Sequence, residues 1–303
     1  MMFLAREQAN EVRLRSIPVI FVPGIMGSRL TFEGMPQDDG PPTDWDPDSV
    51  ATMARWEFAS AIAMRSNLHH SRPAQLLTDG PYSNLENTRG WGTIATDYYG
   101  GMLRHLQDEL DVPGYTCPVY AFGYDWRQGN AESAAVLRQF MVATLKAEGA
   151  TEVMFVTHSM GGLVVRSALT DKWAKNKTLG VVHIAQPAGG APVAYRRCFD
   201  GASYGADGIL MRHLMGSTPN DVFTVFTAMP GALQLLPFDQ ARRTDAGDWL
   251  RKSGPADKGA FVGWTKMAAA IQGYKATSHP PSLAPEINRP SLRRGATDEE
   301  RAN

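Results

Sequence analysis

Short runs of consecutive apolar residues recur along the chain at 17–22, 117–122, 153–157 and 179–185. Runs of this length read as strands buried on both faces, since a half-buried strand would alternate apolar and polar positions. Between them the apolar spacing changes to that of helices. Asn130 is a suitable N-cap for a helix reaching about Lys146, with Leu137, Phe140, Met141 and Leu145 on one face and Gly149 at its stop. A second helix, from Met160 to about Trp173, starts directly after the third run, and a third is expected over 50–64. Strands alternating with helices predict a mostly parallel sheet covered on both faces.

Two stretches interrupt the alternation. Residues 31–97 are rich in Pro, Gly and Trp, and residues 198–238 in Gly and Met, with short apolar pieces at 223–226 and 233–236. Insertions of this length in a compact domain are expected to form lids or binding walls. The organisation expected is one domain over 1–275 with these two excursions, and a polar, Pro-rich tail over 276–303 without fixed structure.

Composition narrows the function. Thirty Lys and Arg against 31 Asp and Glu leave a net charge of -1, which offers no electrostatic reason to bind nucleic acid or an anionic membrane. Two cysteines, Cys117 and Cys198, form no disulfide framework and are expected as small thiols in or near the core. No Cys/His cluster has metal-ligand spacing, and His69-His70 is expected on a surface loop. The first fifteen residues mix charge with apolar groups, and the run at 17–22 is too short to span a membrane. With Met1 as the start, the expected location is cytoplasmic, with no signal peptide and no transmembrane segment.

The chemistry centres on Thr157-His158-Ser159-Met160-Gly161-Gly162, between an expected strand and an expected helix. A serine on such a sharp turn is a nucleophile elbow, and small flanking residues let the helix approach the strand. The position where a first glycine is usual is Thr157, which puts a branched side chain in a tight space. At the helix N-terminus the Met160 N–H can donate to a developing oxyanion. The loop Val22-Pro23-Gly24-Ile25-Met26-Gly27-Ser28 follows the first strand, and Ile25 N–H is the candidate second donor.

These motifs resemble those of the lecithin:cholesterol acyltransferase family. The loop at 22–28 is similar to its oxyanion loop, Tyr124-Asp125-Trp126-Arg127 to its most recognisable signature, and 157–162 to its elbow. Gln186-Pro187-Ala188-Gly189-Gly190-Ala191-Pro192 is similar to its Pro-x-Gly-Gly turn, and residues 229–237 (Met-Pro-Gly-Ala-Leu-Gln-Leu-Leu-Pro) to its cap segment. The resemblance implies an α/β-hydrolase fold with cap insertions. It implies an O-acyltransferase or phospholipase acting on acyl esters, with Ser159 acylated, Ile25 and Met160 as oxyanion donors, and no metal or cofactor. Asp125 and Arg127 are expected to brace a loop above the sheet.

The general base and its orienting acid should follow the nucleophile in the order Ser, Asp, His. After Ser159 the histidines are His183, His213 and His279. His183 is expected as a satisfied core residue of its strand, and His213 lies in the cap. His279 has the right chain order, with Asp239, Asp245, Asp248 or Asp257 as orienters, but no strand pattern follows it. A helix is expected over about 257–274, on Phe261, Trp264, Met267, Ala268 and Ile271, and then prolines take over. The chain thus resembles a C-terminally shortened family member with an incomplete C-terminal part of the sheet. The strand at 179–185 would then be an exposed apolar edge open to self-association. The rival expectation is a catalytically impaired homologue that binds lipid or protein.

Overall fold

The structure is a computed structural model that describes residues 15–33, 43–110, 113–201, 216 and 218–237, with the backbone of 251–254 and 257–261. In chain order the strands are β1 (Arg15–Ser16), β2 (Val19–Val22), β3 (Leu30–Phe32), β4 (Asp44–Trp45), β5 (Ala74–Leu76), β6 (Tyr115–Thr116), β7 (Val119–Ala121), β8 (Val153–His158), β9 (Thr178–Ile184), β10 (Arg251–Gly254) and β11 (Asp257–Phe261). The helices are α1 (Val50–Glu57), α2 (Ala61–Leu68), α3 (Asn84–Thr88), α4 (Thr96–Glu109), α5 (Asn130–Ala147), α6 (Gly161–Ala168), α7 (Lys172–Asn176) and α8 (Pro192–Asp200), followed by two short helices at Pro219–Phe226 and Pro230–Leu233.

The four apolar runs form one parallel sheet in the order β7-β2-β8-β9. Its pleat divides the core. Ile20, Val22, Val153 and Phe155 face one cluster with Leu137 and Met141 of α5 and Val164 and Val165 of α6. Val19, Phe21, Val119, Ala121 and Val156 face another with Trp91, Ile94 and Leu103. Burial on both faces is why β2, β7 and β8 are continuously apolar rather than alternating; β9, expected to be buried as well, is intermediate or exposed along its length, because no strand covers its outer side among the described residues.

Several element boundaries differ from expectation. The segment 50–64 is two helices, because the Ser49 and Ser60 hydroxyls each cap a separate N-terminus. The helix after Ser159 stops at Ala168, and Asp171 caps α7. Gly129, not Asn130, is the N-cap of α5; Asn130 is already helical and donates its N–H to Gln234 Oε1 at 2.7 Å. The helix expected from about 257 is contradicted at its start, where β11 pairs antiparallel with β10. Pro255 disfavours helix at Gly254, and Gly259 is a poor helix former, whereas pairing satisfies the backbone directly. The rest of that expected helix lies outside the described residues, as does the tail at 276–303.

The first excursion builds a small antiparallel sheet, β4-β3-β5, and packs Trp45, Trp56, Met64 and Leu68 into the core. The helix at Pro219–Phe226 packs against α2 and α8, with Val222, Phe223, Val225 and Phe226 buried. Within the described residues, both excursions are therefore walls of the core. Among these residues no helix is long and apolar enough to cross a membrane.

Candidate active site

Ser159 lies between β8 and α6 with φ of 49°, a left-handed conformation unusual for a residue with a side chain. Its amide donates to the Ile184 carbonyl of β9 at 2.9 Å. The helix that follows is pressed onto β2: a Cβ on Gly161 would stand 2.4 Å from the Val22 oxygen and 2.5 Å from the Pro23 oxygen. Only glycine fits there. Thr157, in the place of a smaller residue, is fully buried, and its hydroxyl lies 2.8 Å from His183 Nδ1 on the neighbouring strand. His183 itself is exposed at the sheet edge, so it is satisfied by Thr157 but is not part of the core. The sheet ends at β9 among the described residues, which leaves that ring facing outward.

The glycine-bearing loop after β2 touches the elbow. A Cβ on Gly24 would stand 3.1 Å from Ser159 Cβ and 3.1 Å from His158 Nδ1. The loop is held from several elements. Gly27 N–H donates to Gly24 O at 3.1 Å, the Trp45 indole to Met26 O at 3.0 Å, and the Tyr124 hydroxyl to Pro23 O at 3.0 Å. Ser28 receives Tyr124 N–H at its hydroxyl and the Trp126 indole at its carbonyl. Met26 has φ of 64°, a strain those contacts sustain. Among the described residues, neither Ile25 N–H nor Met160 N–H donates to a backbone carbonyl.

The turn after β7 ties the wall together. Arg127 is fully buried and meets Asp125 through two hydrogen bonds, of 2.8 and 2.7 Å. Its remaining donors reach the carbonyls of His69 at 3.1 Å and Arg72 at 2.8 Å, and its guanidinium lies over the Phe32 ring at 4.7 Å. The pair thus pins the turn at 67–72. His69-His70 is there, the rings stacked 4.9 Å apart. Gly231 N–H donates to Arg127 O, and Ala191 N–H to Leu235 O at 2.6 Å. Six sequence segments far apart in the chain therefore meet here.

Beside the loop lies a cavity of about 500 Å³, lined mainly by apolar groups that include Ile25, Met26, Trp45, Val50, Met53 and Ala54. Tyr99 and His158 also line it. Neither residue is marked by a motif as functional. The Tyr99 hydroxyl lies 3.0 Å from His158 Nδ1 and accepts the Gly24 N–H at 3.3 Å. Burial pushes the His158 imidazole below its ordinary pKa and the Tyr99 phenol above its own, so both are neutral near pH 7. His158 could have been flagged as a titratable group beside the nucleophile. Tyr99, 59 residues from it, carries no local signal.

The remaining expected residues fall elsewhere. His213, His279, Asp239, Asp245 and Asp248 lie outside the described residues, and Asp257 is described by its backbone in β11. Cys117 and Cys198 are both buried, and burial pushes the Cys198 thiol up to about 12. Among the described residues no group of three or more His, Cys, Asp or Glu could hold a metal ion.

A parallel sheet flanked by helices, with a strained serine at a strand-to-helix junction, defines the α/β-hydrolase fold class. The same architecture is found in a chain of the crystal structure of the Tle4-Tli4 complex, at TM-score 0.59 and 22% identity over 76% of this chain. This chain spans 56% of the length of that one. The sequence model of the lecithin:cholesterol acyltransferase family matches residues 90–275, more than half of the chain, and the protein belongs to that family. No individually curated protein matches the sequence.

Proposed function

We propose that the protein moves an acyl group from a lipid ester to an alcohol or to water, through Ser159. The carrying observation is the elbow: a serine at φ of 49°, in contact with a glycine-bearing loop and preceding a helix N-terminus. In this reading Ser159 Oγ attacks the ester carbonyl and its proton passes to a base. The carbonyl oxygen, now negative, is met by Ile25 N–H and Met160 N–H. Collapse restores the carbonyl, breaks the bond to the alcohol and protonates it, which leaves an acyl-serine. A second alcohol or a water then takes the acyl group by the reverse sequence. The adjoining cavity has the size of a typical small-ligand pocket and an apolar lining that suits an acyl chain. His279 stays the candidate base on chain order.

Labelling of the folded protein by a fluorophosphonate probe tests the nucleophile. The expected result is one adduct on Ser159, absent in Ser159→Ala; folded protein without that adduct would sink the reading. On chromogenic acyl esters, His279→Ala should abolish the Ser159-dependent rate if His279 is the base. A binding role is the second reading, and the exposed apolar groups of β9 favour it. It predicts lipid or protein capture that Ser159→Ala leaves unchanged, with no adduct.

A further inference from the structure

We propose that Tyr99 and His158 form a positioning clamp that sets the 24–27 loop against the Ser159 elbow. Its functional consequence rests on the reading of Ser159 as nucleophile. Its structural content does not.

The two segments that must act together belong to different parts of the chain. Among the described residues no backbone hydrogen bond joins 23–27 to 158–161. The polar link between them is the Tyr99 hydroxyl, brought in by α4. It accepts from the Gly24 amide, 75 positions away, and stands 3.0 Å from His158 Nδ1. In the clamp the phenolic hydrogen goes to Nδ1, and the imidazole carries its own on Nε2.

Shape supports the same role. The Tyr99 ring occupies the space a Cβ on Gly27 would need, 2.9 Å away, so it packs directly on the far end of the loop. It rests on Phe21 of β2, centroids 5.0 Å apart, and lies 5.7 Å from the His158 ring. Gly24, for its part, is crowded: a Cβ there would stand 3.1 Å from both His158 Nδ1 and Ser159 Cβ. The loop is thus gripped at both ends by one phenol whose position is registered to the residue beside the nucleophile. A strained loop of this kind keeps its geometry only while its surroundings over-determine it. Misplacing a reacting group by about 1 Å can cost on the order of 100-fold in rate.

The test uses the full-length protein and Tyr99→Phe, His158→Leu, His158→Asn and the double variant Tyr99→Phe/His158→Leu. The first readout is amide hydrogen exchange. Tyr99→Phe and His158→Leu should each speed exchange at 24–27 by roughly tenfold, with β2 and β8 unchanged, as expected when a local opening is eased without loss of the core. The double variant should do no more than Tyr99→Phe alone. His158→Asn should restore much of what His158→Leu loses, since its carbonyl oxygen puts an acceptor on the same Cγ. The second readout is saturation labelling with a fluorophosphonate. In Tyr99→Phe the maximal rate should fall about 10- to 100-fold, with half-saturating probe changed less than about twofold. Unchanged exchange at 24–27 in Tyr99→Phe, or additive effects in the double variant, or no rescue by Asn would overturn the clamp. If the unaltered protein shows no Ser159 adduct while exchange responds as stated, the nucleophile reading falls and the clamp stands. If Tyr99→Phe labels at full rate with unaltered exchange, the clamp falls and the nucleophile stands. Should Tyr99→Phe fail to fold, the Leu and Asn variants at 158 decide the matter.

Discussion

Two buried arginines, Arg29 and Arg127, are accommodated in the same way: a two-pronged carboxylate takes part of the charge and backbone carbonyls take the other donors. For Arg127 the carbonyls belong to the 67–72 turn, so the interaction is structural and local to the wall. Arg127→Leu should destabilise the protein by about 3 kcal/mol, because it leaves Asp125 without its cation and the turn carbonyls without a donor; a urea titration measures it. For Arg29 the partner is Asp46, with Asp79 O and Gly92 O accepting its other donors. Burial pushes the Asp46 carboxyl up, but the hydrogen bond and charge of Arg29 outweigh it, and the net shift is downward. A depressed carboxylate contributes stability that is present above its unfolded pKa, about 3.9, and is lost as pH falls through the lower folded value. Stability measured against pH should therefore drop below about pH 4, less steeply in Asp46→Asn, which starts from a lower plateau.

Glycines carry the argument at the level of elements. Gly161 and Gly149 look alike in sequence, each at a helix end, yet their costs differ. A methyl on Gly161 would strike the Val22 and Pro23 carbonyls, backbone that cannot turn aside. Gly161→Ala should lose about 1–3 kcal/mol by overpacking and reduce Ser159 labelling at least about tenfold, as the elbow moves from the loop. Gly149 ends α5 with φ of 59° and has open space around it. Gly149→Ala should cost about 1 kcal/mol of backbone strain and leave labelling unchanged. Thermal unfolding and probe kinetics on the two variants separate these effects. The strands were legible because uninterrupted apolar residues suit a sheet buried on both faces. Helix ends were less so: Ser60 and Asp171 act as caps only because the chain turns there, and a polar residue on a helix surface looks the same in sequence.

For the molecule as a whole, the sheet is unequal at its two sides. β2 and β8 are enclosed, whereas β9 carries Leu179 at 54%, Val182 at 50% and Ile184 at 39% exposure. No strand pairs with its outer side among the described residues. A row of unpaired backbone groups flanked by apolar side chains promotes association between chains. Val182→Lys should lower concentration-dependent association in light scattering and leave Ser159 labelling intact.

Residue order alone determined the parallel sheet, the elbow, the glycine-bearing loop and the family, because each is written in contiguous residues whose local physics is strong. Short apolar runs must be buried, and glycines must stand where backbones meet. Tertiary structure alone decided what converges on that framework. Tyr99 reaches both Gly24 and His158, Arg127 holds a turn some sixty residues earlier, and Thr157 is satisfied by His183 across a strand boundary. Such contacts join positions with no shared local pattern; they exist only once hydrophobic burial has folded the intervening chain and desolvated polar groups have found the partners within reach.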